Sequence, residues 1–270
     1  MKRGAARGVL LCALMVSTGG AQEMLSMPSA TAPSPGVLIP RVQLRGSVFE
    51  GGQGLVEQRV RAEYGVVRDW SASLELPINQ GFFDGPRPSG GAVGLGSLEA
   101  LVEWRAVRWD LGPIDTVRGA VFGGADLPTG TGGFGESGLQ PCVGGVVTTI
   151  LGRQGFDVAA RYTWATAGAA RHPHTLSQNG RDRLEADVGY AFRLAPATYG
   201  EVREAAWYGT LELNSAFSAD DAHLVTVGPG LLIEAPTYAL ELGVQLPASS
   251  AEDHAPRLRY GVILGVRWFL

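Results

Sequence analysis

Three short stretches of the chain hold residues able to do chemistry. In HTLSQNG, His174 stands three residues ahead of Ser177, with Asn179 and Gly180 close behind. An imidazole within hydrogen-bond reach of a hydroxyl is the pairing that activates a serine nucleophile. The stretch shows no alternation that would hold the two groups side by side. In HPH, His172 and His174 are two apart, and imidazoles so spaced can share a metal ion. Pro173 separates them, no acidic cluster adjoins, and His223 and His254 lie elsewhere, so a solvated loop is expected. GTGGFG at 130–135 fits a G-x-G-x-x-G phosphate loop through Gly130, Gly132 and Gly135. Such a loop must open a helix within a βαβ unit. Here ESGLQPCVGGVV follows, which reads as another strand, and the only lysine is Lys2, so no P-loop exists either. These stretches predict no catalytic residue, no cofactor and no metal site.

The remaining polar chemistry lies in charges that alternate with apolar residues. Phe156, Val158, Ala160, Tyr162 and Trp164 interleave with Asp157, Ala159, Arg161 and Thr163. Tyr238, Leu240, Leu242, Val244 and Leu246 interleave with Ala239, Glu241, Gly243 and Gln245. A period of two belongs to a strand, whose successive side chains point to opposite faces. Twelve such segments are legible, near 38–49, 55–66, 70–79, 96–107, 115–127, 140–151, 156–166, 183–194, 204–217, 223–234, 238–247 and 257–270. Most exceed the five or six residues usual in soluble strands and suit a tilted strand crossing a bilayer. The connections VRD, LGRQG and APT are tight, whereas QGFFDGPRPSGGAVG, PTGTGGFGESGLQ and GAARHPHTLSQNGRDR are long. That alternation is expected of an all-β, transmembrane, up-and-down antiparallel barrel of about 12 strands, with both termini on the tight-turn side. Tyr64, Trp70, Trp109, Tyr190, Phe192, Trp207, Tyr238 and Trp268 fall at that same rim, where amphipathic rings favour the membrane interface. A secreted sandwich would share the alternation but pack its apolar faces into one core.

The ends and the composition bound the rest. Lys2, Arg3 and Arg7, the apolar run Val9 to Val16 and Gly19-Gly20-Ala21 form a secretory signal peptide over 1–21. A lipidated Cys12 is disfavoured because Ala13 to Val16 prolong the apolar run beyond it. Residues 22–36 read as a flexible N-terminal segment and 37–270 as the barrel. Cleavage leaves Cys142 as the sole cysteine, so no internal disulfide is expected. It also removes three of the 22 basic residues and none of the 26 acidic ones, deepening the net charge of −4. An acidic chain argues against nucleic acid as a partner. The closing segment RLRYGVILGVRWFL alternates to its last residue, with Leu258, Tyr260, Val262, Leu264, Val266, Trp268 and Leu270 on one face. Lipid is the expected cover for that face, and the barrel-assembly machinery the expected reader of this strand.

With the apolar positions toward lipid, the alternate ones line the lumen. They include Arg41, Gln43, Arg45, Arg59, Arg61, Glu63, Glu75, Glu99, Glu103, Arg105, Arg118, Asp157, Arg161, Glu185, Asp187, Arg193, Tyr208, Glu212, Glu241, Arg259 and Arg267. Both signs are interleaved, as pairing inside a confined space requires. The order of short motifs adds a resemblance: GLGSLE at 94–99, LPTG at 127–130, GPGL at 228–231 and ALELGVQLP at 239–247. On these, the whole mature chain resembles the outer-membrane β-barrel transporter family of the MetA pathway of phenol degradation. The resemblance implies an outer-membrane barrel that moves small hydrophobic or aromatic molecules, and it brings no defined binding residues. The expected function is therefore an outer-membrane channel for passive passage of small molecules through a charged lumen, and no enzyme. Its expected partners are outer-membrane lipids, the assembly machinery and small solutes. One alternative is a structural or surface-interaction barrel with a plugged lumen. Another is a lipid hydrolase like outer-membrane phospholipase A, also a twelve-stranded barrel, whose motif sets His and Ser two apart on a strand before Asn-Gly, against three here.

Overall fold

A computed structural model describes residues 24–82, 92–136, 138–166, 181–198, 204–219, 221–251 and 257–270. The expected signal segment, and with it His172, His174, Ser177, Asn179, Gly180 and His254, lies outside the described residues. The strands are β1 (Leu38–Phe49), β2 (Gly54–Val67), β3 (Trp70–Phe82), β4 (Ala92–Leu95), β5 (Leu98–Asp110), β6 (Thr116–Leu127), β7 (Gln140–Leu151), β8 (Gln154–Thr163), β9 (Arg183–Ala195), β10 (Ala206–Ser218), β11 (His223–Glu234), β12 (Tyr238–Ala251) and β13 (Leu258–Trp268). All belong to one sheet of antiparallel neighbours, and β1 pairs with β13 to close it.

β4 and β5 are two pieces of a single stave. β4 pairs with β3 over Ile78 to Gly81, and β5 pairs with β3 over Trp70 to Glu75. The break falls beside Pro77, which has no N–H to give to the ladder; its carbonyl instead accepts the Gly96 N–H at 2.7 Å. The barrel is thus twelve-stranded and up-and-down, as the alternation predicts. β5 and β12 extend past the predicted ends, to Asp110 and Ala251. β5 does so through a bulge between Arg105 and Val107, which shifts the alternation there and hides the extension from a simple period-two count.

The outside is apolar all the way round. Leu74, Val102, Val147, Val158, Val188, Leu211, Leu242 and Leu264 are all exposed, one band crossing the staves. Water would not tolerate so continuous an apolar surface, whereas a bilayer requires it. The chain is therefore an outer-membrane β-barrel. Tyr64, Trp70, Trp109, Trp207, Tyr238 and Trp268 are exposed at the tight-turn rim, and Trp104 joins them by stacking on Trp70 with centroids 5.9 Å apart. The β2–β3 turn is two residues, with Asp69 at a positive φ of 65°, a conformation that Asp tolerates better than most residues. Its carboxylate accepts Arg105 Nε at 2.9 Å and Nη2 at 2.6 Å, tying the turn to β5.

Candidate functional site

Ladder register decides which side chains face inward. Gln43, opposite Arg59, starts one phase; Arg61 opposite Glu75, Glu75 opposite Glu99, Arg161 opposite Glu185 and Asp187 opposite Asn214 continue it around the barrel. Every residue of the predicted set falls on this phase, opposite to the lipid-facing band. Arg259 does so at the outer end of β13, where it is exposed. The predicted set omits Glu57, Asp126 and Arg183. They share the phase of Arg59, Arg118 and Glu185, which was the signal available to find them.

Two charge groups organise the wall. At the seam, Arg41 and Arg267 stand directly opposite each other on β1 and β13, a like-charge pairing that opposes closure. Glu241, on the neighbouring β12, resolves it. Its side chain is fully buried and meets Arg41 Nη2 and Arg267 Nη2, each at 2.8 Å, while Gln43 Nε2 donates to it at 2.8 Å. Further round, Arg161 on β8 pairs with Glu99 on β5, with Asp126 at 3.5 Å and with Glu185 at 3.7 Å. One guanidinium so answers three carboxylates from three strands, a use to which its planar fork of donors is suited.

Of the segment 22–36, expected as a flexible lead-in, residues 24–33 lie inside the barrel and Ser34, Pro35 and Gly36 are exposed at its rim. Gly36 and Val37 enter at the inner rim, where Gly36 N–H donates to Gly65 O at 2.8 Å and Gly65 N–H to Val37 O at 3.0 Å. Ala30 N–H donates to Thr148 Oγ1 at 2.9 Å. The Leu25 carbonyl accepts Arg41 Nη2 at 2.5 Å and Gln43 Nε2 at 2.7 Å. Glu212 accepts the Leu25 and Ser26 N–H groups at 2.5 and 3.1 Å, and the Ser26 hydroxyl besides. Met24, Leu25, Met27 and Ala30 are buried. The two methionines and Ala30 pack with Ala120, Phe122, Val146, Ala159 and Ala191, and Leu25 with Tyr208 and Leu232. Wall glycines make the room: a Cβ at Gly189 would stand 2.6 Å from Met24 Cγ, and one at Gly243 would stand 2.8 Å from Leu25 Cδ1.

The insert divides the lumen. On its outer side is a cavity of about 310 Å³, bounded by Phe49, Leu55, Asn214, Leu224 and Gln245 as well as charged groups. A second, of about 150 Å³, lies between the insert and the charged faces of β1, β2, β3 and β5. Below Met27, Pro28 and Ser29, toward the inner rim, lies a pocket of about 30 Å³. The glycine stretch 130–135 is part of the outer rim and not a phosphate loop: Thr131 N–H donates to Leu95 O at 2.9 Å, and β7 follows. Among the described residues no group of three or more His, Cys, Asp or Glu is placed to hold a metal ion.

No protein-family model and no curated protein matches the chain. Among solved structures it is similar to an outer membrane channel from Pseudomonas putida F1, at 13% identity and a TM-score of 0.59, covering 92% of this chain and 100% of that one. It is also similar to the NanC porin, at 13% identity and a TM-score of 0.50, covering 86% of this chain and 100% of that one. At such identity the likeness is one of fold, the porin-like outer-membrane barrel.

Proposed function

We propose that this barrel is a channel for passive passage of small molecules across the outer membrane, closed in the described state by its own N-terminal segment. The observation that carries the reading is how the segment is held. Among the described residues no strand pairs with 24–34; side chains and glycine notches seat it, so it can leave without unmaking any stave. Twelve staves enclose more than side chains alone fill, and its departure would join the two cavities. The resemblance to the phenol-pathway transporters and the fold likeness to an outer membrane channel support the same reading. The resemblance, for its part, also favours small solutes with apolar or aromatic parts. β13, with Leu264 and Trp268 exposed outward, is the segment on which the assembly machinery would act.

Liposome swelling tests the proposal. The refolded full chain should admit small solutes slowly, and a variant lacking 24–34 should admit them much faster. If neither form is permeable to any solute while both show heat-modifiable migration, the plugged structural barrel is the correct reading and the channel is not.

A further inference from the structure

The two larger cavities adjoin on either side of a waist. Ser26, Arg45, Arg59, Glu185 and Asp187 border both of them. Two of the four charges are already committed. Arg59 pairs with Glu57 at 2.5 Å and Glu75 at 3.1 Å; Glu185 pairs with Arg161 at 3.7 Å and Arg183 at 3.4 Å. Arg45 and Asp187 have no ion-pair partner among the described residues. Arg45 donates its Nε to Gln43 Oε1 at 2.7 Å, which leaves its two terminal amino groups to the cavities. Asp187 meets the Ser215 backbone N–H and lies within electrostatic reach of Arg45. The two stand on β1 and β9, five staves apart one way round the sheet and seven the other, so they face each other across the lumen.

We infer that the outer cavity is a binding site for a small zwitterion with an apolar side chain, of the amino-acid class, its carboxylate on Arg45 and its ammonium on Asp187. Unpaired charges in a confined lumen are costly, and a zwitterion supplies both missing counter-charges together. A simple anion or cation answers one and leaves the other exposed to it. The rest of the cavity fits the remaining part of such a solute: Phe49 and Leu55 are buried inward-facing side chains above the waist, with Leu224 beside them. The volume, about 310 Å³, is of the order that holds small molecules, about 300 Å³ and upward. The site deepens the channel reading by naming the solute class that would enter.

Calorimetric titration of the refolded full chain in detergent tests it with three probes of one shape: L-phenylalanine, 3-phenylpropionate and 2-phenylethylamine. L-phenylalanine should bind most tightly, and each single-charge analogue about tenfold or more weaker, the loss of one charge-assisted hydrogen bond. Arg45→Gln should weaken L-phenylalanine and 3-phenylpropionate but leave 2-phenylethylamine unchanged; Asp187→Asn should do the converse. Heat-modifiable migration checks that both variants remain folded barrels. The inference is overturned if the analogues bind as tightly as L-phenylalanine, if no probe binds, or if neither variant changes the order. Swelling assays keep the two readings apart. Binding by a barrel impermeable with and without 24–34 upholds the site and removes the channel, and permeability without binding does the reverse.

Discussion

The two sides of the lumen use the same alternation for opposite ends. On β1, β2, β3 and β5 the inward phase carries Arg41, Arg45, Arg59, Arg61, Glu75, Glu99 and Glu103, and these groups border open space. From β6 round to β12 much of the same phase is alanine, glycine or apolar: Ala120, Phe122, Val146, Ala159, Gly189, Ala191, Gly230 and Gly243. That side is filled by the chain's own N-terminal segment. A barrel interior is therefore neither core nor pore by default. Long charged side chains that pair along the wall keep a space wet, while small ones admit a second layer of backbone. The sharpest way to break the contrast is to refill the small side. A Cβ at Gly243 would meet Leu25 Cδ1 at 2.8 Å and nothing else nearer than 3.7 Å. Gly243→Ala should thus act on the insert and spare the wall. Overpacking of this kind costs about 1–3 kcal/mol, enough to raise the unseated fraction roughly 5- to 150-fold. Single-channel recordings should show correspondingly more frequent opening; a conductance equal to that of the parent chain would mean that the insert is not what closes the lumen.

On the charged side the largest effect should come from Glu241, which is buried between two arginines that face each other across the seam. Glu241→Gln keeps the shape and removes the charge, leaving Arg41 and Arg267 opposed with no counter-charge between them. Removing one partner of a buried pair costs about 3–5 kcal/mol. The heat-modifiable transition of the variant should fall well below that of the parent, and further than after Gly243→Ala. Because Arg41 also donates to the Leu25 carbonyl, the same change should loosen the insert, so opening and barrel stability should move together here and separately at Gly243.

The wall was legible in the sequence and its contents were not, for one physical reason. Each stave repeats its in-out rule over ten or more residues, so Val158 or Arg161 can be assigned to a face from its neighbours alone. The seam carboxylate Glu241 and the waist pair Arg45 and Asp187 can be assigned to the inner face in this way, although which charges find partners depends on staves far apart in sequence. The insert has no such redundancy. QEMLSMPSATAPSPG contains three prolines and no period, and composition alone reads it as coil. Its signals were indirect: Met24, Leu25 and Met27 together in a polar lead, and an inward phase on β9, β11 and β12 with glycines where charges would otherwise stand. The two were complementary, but only three dimensions bring them together. β5 beyond Arg105 fails for a smaller reason, since a single bulge inverts the phase and ends the count early.

The smallest expected effect lies at the outer rim, away from both sides of the lumen, and so controls for the others. There Asp182 accepts the Tyr162 hydroxyl at 2.6 Å and the Ala165 N–H at 3.0 Å. Both bonds favour the ionised carboxylate, the Tyr162 hydroxyl foremost, and hold it below the usual carboxylate range. A lowered folded value means that the stabilisation is complete above the unfolded value, near about 4, and is lost as pH falls through the folded one. Protection of the Ala165 amide from hydrogen exchange, corrected for intrinsic rate, should thus be flat from neutral pH to about 4 and decline only below it. Asp182→Ala should remove that protection at every pH. Neither change should alter conduction, because the clamp sits on the β8–β9 loop and touches neither the insert nor the waist; if acid opened the channel in parallel with the loss of Ala165 protection, the closure would have to reside in the outer loops and not in residues 24–34.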